Sequence, residues 1–309
     1  MASKSPATLA DPRLNRAANY NRAEVVSEIL SFYNFLPHIH PSSIYQAPPG
    51  GWEMITAENL AKHGVHKSDE AIALLRELPY LEGPEAWIQS LAFVCDWREV
   101  AKDPPWEPNW LGSDAKEEWT PAWVIQLTAG LDREAIRYYL DTTDGTVSCY
   151  QNWGFEYERS YSEDDPRSWR DRPCNPETWI LKDLLDEWRD SYCEMKILGL
   201  PAPLGGYGSG SGRECEYDFG PGSHNHGLFK AVQAIYHEFG WPDSYRKVTC
   251  ILGVQFWLHK WEDVNRSISR RTNGQSQAGP DDPWLSPEVF LESVKKAGTQ
   301  DTIASNNSV

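Results

Sequence analysis

The feature that most constrains the fold of this chain is a β-hairpin signal near its centre. Two β-prone runs, 135–140 and 146–150, are joined by Asp141-Thr142-Thr143-Asp144-Gly145. An Asp-Gly pair between two such runs is typical of a tight turn, because the glycine adopts a positive φ without steric cost. The sequence therefore predicts an antiparallel pair of strands at this point.

Apolar spacing predicts helices in the first eighty residues. Residues 22–36 carry apolar side chains at helical intervals, and Pro37 ends the pattern. Thr56 can cap a short helix that runs through residue 60. Ser68 is a favourable N-cap for a longer helix, and acidic residues follow it in the first turn, where the helix dipole favours them. The N-terminal part is therefore predicted to be mainly helical.

The pattern changes to shorter apolar runs after residue 86. The runs 87–94 and 122–128 predict strands, and residues 178–192 predict a helix with one apolar face. Together with the hairpin, these segments predict an α+β fold. We expect a small, mostly antiparallel sheet flanked by helices, with a C-terminal helical appendage.

A glycine-rich stretch divides the chain unequally. Eight glycines and three prolines lie between Gly199 and Gly222, which is typical of a linker or mobile loop. The sequence predicts this organisation: a disordered arm at 1–20, an α+β domain at 21–198, the linker at 199–222, a helical region at 223–298 and a disordered tail at 299–309. Because a helical pair buries little surface alone, we expect it to dock on the first domain or on another subunit.

The charge balance restricts the partners. Asp and Glu total 45 against 29 Lys and Arg, so the net charge is −16. This charge repels a phosphate backbone and an anionic bilayer, and neither nucleic acid nor membrane is an expected partner. The first residues lack an apolar signal core, and no later run of eighteen apolar residues occurs. We therefore expect a cytoplasmic protein.

The sequence carries no recognisable catalytic motif. It contains no H-E-x-x-H or G-x-S-x-G pattern, and its six cysteines are widely separated, so reduced, mostly buried thiols are expected. The histidine pairs His38 with His40 and His224 with His226 can each share one face of an extended segment. Their surroundings lack diagnostic ligand spacing, and we expect surface or capping histidines. No metal and no cofactor is predicted.

Tryptophan is the one compositional excess, with fifteen in the chain. Five of these residues lie within 27 positions among several prolines, and they are the candidate binding residues: Trp97, Trp106, Trp110, Trp119 and Trp123. Rigid amphipathic rings on a proline-stiffened loop suit a recognition surface, although the same rings can instead cover the sheet as core. We predict a non-catalytic interaction or regulatory module whose acidic surface favours a basic protein partner.

The alternative is an enzyme of small-molecule or carbohydrate metabolism. It would require an aromatic pocket between the sheet and the C-terminal helices, with acid and base groups converging on it. The candidate acid and base residues are Asp141, Glu156, His224 and His226. A deep pocket with such groups would favour the enzyme, and a flat tryptophan surface would favour the interaction module.

Residues 21–195 contain a characteristic order of elements: a helix ending at Leu36-Pro37, a tryptophan-initiated strand, the strand Val124-Ile125-Gln126-Leu127, an L-D-x-x-x-G-x-V pattern at 140–147 and a helix that follows. This order resembles the SUKH superfamily, which includes fungal cell-wall-synthesis regulators and bacterial toxin-immunity proteins. Residues 45–81 are also similar to a widespread group of fungal proteins. The first resemblance implies a non-catalytic adaptor or inhibitor. The chain departs from that superfamily in the 110 residues after Gly199.

Overall fold

The computed structural model describes residues 11–83, 86–102, 120–130, 135–151, 159–171, 177–201, 215–217, 226–271 and 292. For residues 215–217, 226–227 and 262–271 it describes the backbone alone. The fold is α+β, the paired strands are all antiparallel, and the C-terminal part is helical.

The α-helices are α1 (Arg22–Phe35), α2 (Ala57–Ala61), α3 (Asp69–Glu77), α4 (Trp97–Val100), α5 (Leu181–Cys193), α6 (His226–Glu238) and α7 (Lys247–Arg271). The strands are β1 (Ile44–Tyr45), β2 (Tyr80–Leu81), β3 (Trp87–Gln89), β4 (Ala92–Val94), β5 (Val124–Gln126), β6 (Thr128–Ala129), β7 (Ile136–Asp141), β8 (Thr146–Gln151), β9 (Thr178–Ile180), β10 (Ile197–Gly199) and β11 (Cys215–Tyr217). Short 3-10 helices cover Pro41–Ser43 and Ser168–Asp171. The strand orders are β1-β2, β3-β4-β6, β5-β7-β8-β9 and β10-β11.

The predicted hairpin is confirmed as the pair β7 and β8 at the centre of the four-stranded sheet. Gly145 has a φ of +78°, and its N–H donates to the Asp141 carbonyl at 2.8 Å. Asp141 and Asp144 each accept a hydrogen bond from the backbone N–H two residues later. Side-chain and backbone bonds thus fix the turn in the way that its residue types predict.

The predicted helix starts are confirmed at α1, α2 and α3. The side chains of Asn21, Thr56 and Ser68 each accept from a backbone N–H in the first turn of the helix that follows. These bonds satisfy donors that have no partner within the helix. The helix α1 ends directly before Leu36-Pro37, as expected.

Alternation along β7 gives the central sheet two different faces. Tyr138 and Leu140 belong to the main core, where the Tyr138 ring meets Trp188 of α5 edge-on at 4.9 Å between centroids. Tyr139 points to the opposite face and packs with Val124 and Trp169 in a small second cluster. Because side chains alternate across a strand, Asp141 shares the second face with Tyr139.

Two segments form secondary-structure elements that differ from the predicted ones. The run 87–94 forms two short strands around a turn at Leu91, whose φ is +58°. The helix predicted over 178–192 begins only at Leu181, because Thr178–Ile180 pairs with β8 as an edge strand. Thr, Trp and Ile favour extended backbone, and the open edge of β8 supplies their hydrogen-bond partners. Tertiary pairing therefore overrides the helical spacing there.

The C-terminal helices pack on the α+β part and share its core. The Tyr236 hydroxyl donates to the Gly199 carbonyl at 2.7 Å, and the Trp241 indole donates to the Tyr192 carbonyl at 3.0 Å. From the start of α7, Lys247 donates to the Asn34 carbonyl at the end of α1. Of the two docking modes expected, the structure therefore shows docking on the first domain. None of the described helices is long and apolar enough to cross a bilayer.

Part of the predicted linker is ordered. Cys215–Tyr217 forms β11 and pairs with β10, so this section of the glycine-rich stretch belongs to a sheet. Residues 202–214 and 218–225 lie outside the described residues, and so does the part of the predicted helical region after residue 271 apart from Glu292.

The segment 11–20, expected to be part of a disordered arm, packs against the hairpin turn. A Cβ atom at Gly145 would lie 2.9 Å from the Asn19 carbonyl oxygen, so the segment crosses the turn at close range. Asp11 is buried, and the Tyr161 hydroxyl donates its proton to this carboxylate, lying 2.6 and 2.7 Å from its two oxygens. Arg13 likewise forms an ion pair that is shielded from solvent, with Asp171, whereas Arg16 pairs with Asp183 at an exposed position. Residues 1–10 lie outside the described part.

A glycine in β10 makes room for a buried histidine. A Cβ atom built on Gly199 would lie 1.8 Å from Nδ1 of His38, far inside van der Waals contact. We expect Gly199→Ala to lower the free energy of unfolding by about 1–3 kcal/mol, because the core would have to shift. Urea denaturation measures this change. His38→Ala should relieve the clash, so the double variant should be less destabilised than the sum of the single variants; additive effects would contradict the contact.

Candidate binding groove

The described residues form an open groove of about 520 Å³ beside β1 and β2. Its lining is aromatic and charged: Tyr45, Trp52, Met54, Glu82, Gly83, Asp96, Arg98, Glu99 and Lys102. Tyr45 and Met54 are among the most exposed large apolar side chains in the described part of the protein, at 38% and 37%. An apolar surface of this kind beside charged groups is typical of a binding site.

The pair β1 and β2 positions the aromatic wall. Tyr45 lies directly opposite Tyr80 in this ladder. Tyr80 is buried, and its hydroxyl donates to the Leu75 carbonyl at 2.8 Å. Cross-strand neighbours on one face lie close enough for their rings to form a continuous surface.

Trp52 completes the wall from the loop before α2. Its indole N–H donates to the Leu78 carbonyl at 2.9 Å, and its ring lies 6.0 Å from that of Tyr80 between centroids. The preceding Gly51 has a φ of +78°, and a Cβ atom there would lie 2.8 Å from the Arg76 carbonyl oxygen. Glycine is therefore required for the close approach that fixes Trp52.

The opposite side of the groove is the start of α4. Asp96 caps this helix by accepting from the Arg98 backbone N–H at 2.9 Å. Trp97 lies between these two residues but faces the core, where its indole N–H donates to the Gln126 carbonyl at 2.8 Å. The anchored Trp97 thereby holds the charged side chains of Asp96 and Arg98 towards the groove.

Arg98 is held within an aromatic cage. Its guanidinium carbon lies 4.9 Å from the ring centroid of Tyr45, 4.8 Å from that of Trp52 and 5.1 Å from that of Tyr80. A cation this close to a ring face is attracted by the ring quadrupole. We use the name Arg98 cage for these three rings together with Asp96.

Asp96 closes the cage with a two-point ion pair. Arg98 Nε donates to Oδ1 at 3.0 Å, and Nη2 donates to Oδ2 at 2.7 Å. Burial alone would lower the pKa of Arg98, but the hydrogen bonds and charge of Asp96 outweigh it and raise that pKa above its usual value. The cage therefore binds a planar cation through both its rings and a matching carboxylate.

The groove has more carboxylates than cations. Glu82, Asp96 and Glu99 line it against Arg98 and Lys102. Lys102 pairs with Glu99 at a solvent-exposed position, where such a contact is weak. The local excess has the same sign as the net charge of the whole chain, so a cationic ligand is favoured.

Of the five tryptophans predicted to bind, the structure describes Trp97 and Trp123. Trp97 belongs to the main core and so acts as a packing residue, which corrects its assignment to a docking surface. Trp123 is half-buried against the second cluster, and its carbonyl accepts from Thr142. The structure thus places these two rings against different clusters. Trp106, Trp110 and Trp119 lie outside the described residues, in a stretch that begins one residue after Lys102.

A buried charge cluster forms on the second face of the central sheet. Arg170 is fully buried and pairs with Asp141 and Asp144, each at 2.8 Å, and with Asp11. Burial is the main reason that the pKa of Asp141 is raised, and the Arg170 charge opposes this shift. Because the Asp141 side chain is fully enclosed, it has no surface for a substrate. We name these four residues the Arg170 cluster and assign it a structural role.

The described residues include no side chain of the other acid and base candidates. Glu156 and His224 lie outside the described residues, and His226 begins α6 with only its backbone described. His40 caps a 3-10 helix, as expected, whereas His38 is buried and contacts the Trp87 carbonyl. Within the described residues, no group of three or more His, Cys, Asp or Glu side chains is placed to hold a metal.

Sequence reasoning missed the groove because its parts have no shared pattern. Trp52 follows Pro48-Pro49-Gly50-Gly51, which indicates only an extended connection. Asp96 and Arg98 lie on either side of Trp97, which is one of the five tryptophans predicted to bind. The available signal was an acid and an arginine two residues apart at the start of a helix, and this spacing is common on protein surfaces.

The protein is thus an α+β protein with an open groove whose lining is aromatic and contains more carboxylates than cations. Comparison with known proteins adds no relative, because no family model, no curated protein and no solved structure matches the chain. The resemblance to the SUKH superfamily stays a prediction.

Proposed function

We propose that this protein is a non-catalytic interaction module that binds a basic segment of a partner protein in the groove. The observation that carries the proposal is the Arg98 cage, in which three rings and a carboxylate already hold a guanidinium. An adjoining exposed surface of Tyr45 and Met54 supplies apolar contact area. Together these features match the chemistry of arginine and lysine side chains.

Electrostatics support a basic partner over an acidic one. The net charge of −16 attracts cationic segments over long range and repels anionic ones. Of the predicted tryptophan surface, the described members Trp97 and Trp123 do not line the groove, but that prediction uses the same chemistry of rings beside carboxylates. Lys102 lines the groove and directly precedes the tryptophan-rich stretch in sequence.

The experiment measures binding of a fluorescent octapeptide of alternating arginine and serine, at low salt, by anisotropy. We expect saturable binding that weakens as salt is added, and no binding of the matching glutamate and serine peptide. Tyr45→Ala should weaken binding about fivefold, because it removes one exposed ring from a cation. Glu99→Gln should weaken it by a smaller factor.

Two matched controls separate the groove from general attraction to an acidic protein. Phe256→Ala removes a comparably exposed ring, at 44%, from α7. Glu163→Gln removes one charge from a largely exposed position. Both should leave the affinity unchanged. Equal losses from control and groove variants, or no binding of the arginine peptide at all, would overturn the proposal.

A further inference from the structure

Arg98 occupies the place that a ligand would take in its own groove. Its side chain is only 14% exposed and that of Asp96 only 11%, yet both line the open groove. The ion pair therefore adjoins solvent, but most of its surface is shielded from water. A side chain entering from the groove would meet the rings of Tyr45 and Trp52 first.

We propose that Arg98 is an internal occupant of the cage and that an arginine side chain of the partner displaces it. This inference rests on the proposed function and specifies its ligand. The exchange replaces the guanidinium of Arg98 with that of the partner. Arg98 loses its contacts with the three rings and Asp96, and the partner's arginine gains them. Arg98 moves into water, and the ion pair with Asp96 is restored by the ligand.

The chemistry of the cage selects arginine over lysine. A guanidinium is planar, stacks on ring faces and pairs with both oxygens of one carboxylate, as Arg98 does with Asp96. An ammonium is a point charge that keeps its hydration more strongly. The groove therefore recognises arginine as the central residue of the basic segment.

Competition from Arg98 limits the affinity of a small cation. A site that is open for only a fraction of the time binds with an affinity reduced by that fraction. A partner overcomes this competition through further contacts along the groove, whereas a single guanidinium does not. Removal of Arg98 should therefore reveal a small-cation site that the parent chain conceals.

The experiment titrates Arg98→Ala with ethylguanidinium at millimolar concentration and measures heat by calorimetry. We expect the affinity of the variant to exceed that of the parent chain about tenfold or more. Butylammonium should bind the variant more weakly, and the neutral isostere ethylurea should not bind. Thermal melting is the second readout, since ethylguanidinium should raise the midpoint of the variant above that produced by ethylurea.

Arg189→Ala is the matched control. Arg189 is also ion-paired, lies over the Phe32 ring and is 18% exposed, but it lies outside the groove. It should gain no ethylguanidinium affinity. Arg98→Gln provides a second neutral variant. Its amide can still donate a hydrogen bond to Asp96, so it should be less destabilised than Arg98→Ala by the burial of this carboxylate.

Each outcome decides the inference. Equal ethylguanidinium affinity in the parent chain, Arg98→Ala and Arg98→Gln would overturn it. So would failure of both variants to fold with or without ethylguanidinium, because Arg98 would then be a fixed structural element. If the arginine peptide binds at the groove but neither Arg98 variant binds ethylguanidinium, only this inference fails. If the Arg98 variants bind ethylguanidinium but the parent chain does not bind the arginine peptide, the proposed function fails instead.

Discussion

Replacing Arg170 with methionine should lower the free energy of unfolding by about 3–5 kcal/mol. The variant removes the only cation that Asp141, Asp144 and Asp11 share in the described contacts. Methionine fills similar volume, so the loss comes mainly from leaving carboxylates in a buried site without their counter-charge. Urea denaturation monitored by circular dichroism measures the change.

The cluster links three distant parts of the chain. Asp11 belongs to the N-terminal segment, Asp141 and Asp144 to the hairpin turn, and Arg170 to the 3-10 helix that covers the second face of the sheet. Arg13 adds a neighbouring pair with Asp171. Removal of Arg170 should therefore loosen the N-terminal segment as well as the turn.

Arg159→Met is the matched control, because Arg159 pairs with Glu163 at positions 67% and 87% exposed. Its effect should stay within about 0.5 kcal/mol. Adding Asp141→Asn to Arg170→Met should recover part of the loss by removing one buried negative charge. A loss below about 1 kcal/mol in Arg170→Met would contradict the buried geometry of the cluster.

Acidification should destabilise the protein through His38. This ring is buried, Nε2 donates to the Trp87 carbonyl at 2.9 Å, and Nδ1 has no hydrogen-bond partner among the described residues. Burial lowers the pKa of His38 from 6.5 to about 4; the Trp87 carbonyl opposes this shift, and the charge of Lys247 adds to it. A second proton on Nδ1 would find no acceptor there.

The sign follows from proton binding. Between pH 6.5 and about 4 the unfolded chain holds the His38 proton and the folded chain does not, so stability rises with pH across this window. The contribution is complete above pH 6.5 and is lost as the pH falls to about 4. The shift corresponds to roughly 3 kcal/mol, at 1.36 kcal/mol for each pH unit.

His38→Gln isolates this contribution, because its amide can donate to the Trp87 carbonyl and does not titrate. We expect the difference in unfolding free energy between the parent chain and this variant to depend on pH only within the stated window. His237→Gln, which changes an exposed histidine on α6, should keep the profile of the parent chain. Parallel profiles for the parent chain and His38→Gln would show that His38 is protonated equally in both states.

The sequence predicted a binding surface at Trp97, Trp106, Trp110, Trp119 and Trp123, and the groove residues were not part of that prediction. The basic partner stays a prediction. In the structure Trp97 is buried in the core, and its neighbours Asp96 and Arg98 line the groove instead. Whether a ring faces the core or solvent depends on what packs against it, and apolar content alone does not distinguish these environments.

The α+β class, the central hairpin and the starts of α1, α2 and α3 were predictable because their causes are local. The turn at Gly145, the caps Asn21, Thr56 and Ser68, and the end of α1 at Pro37 each depend on residues within a few positions. Thr178–Ile180 is an exception to this rule. It forms a strand because β8 offers a free edge for pairing, and that edge belongs to another part of the chain.

The sequence by itself determined the hairpin, the starts of α1, α2 and α3 and the net negative charge, since turn geometry and capping act within a few neighbours and the net charge follows from composition. Only the tertiary structure decided that Tyr45, Trp52, Tyr80 and Arg98 form one cage and that Asp11, Asp141 and Arg170 form one buried cluster. These groups are distant along the chain. They meet because burial of the shared core brings their elements together, and that burial depends on contacts that no short sequence pattern contains.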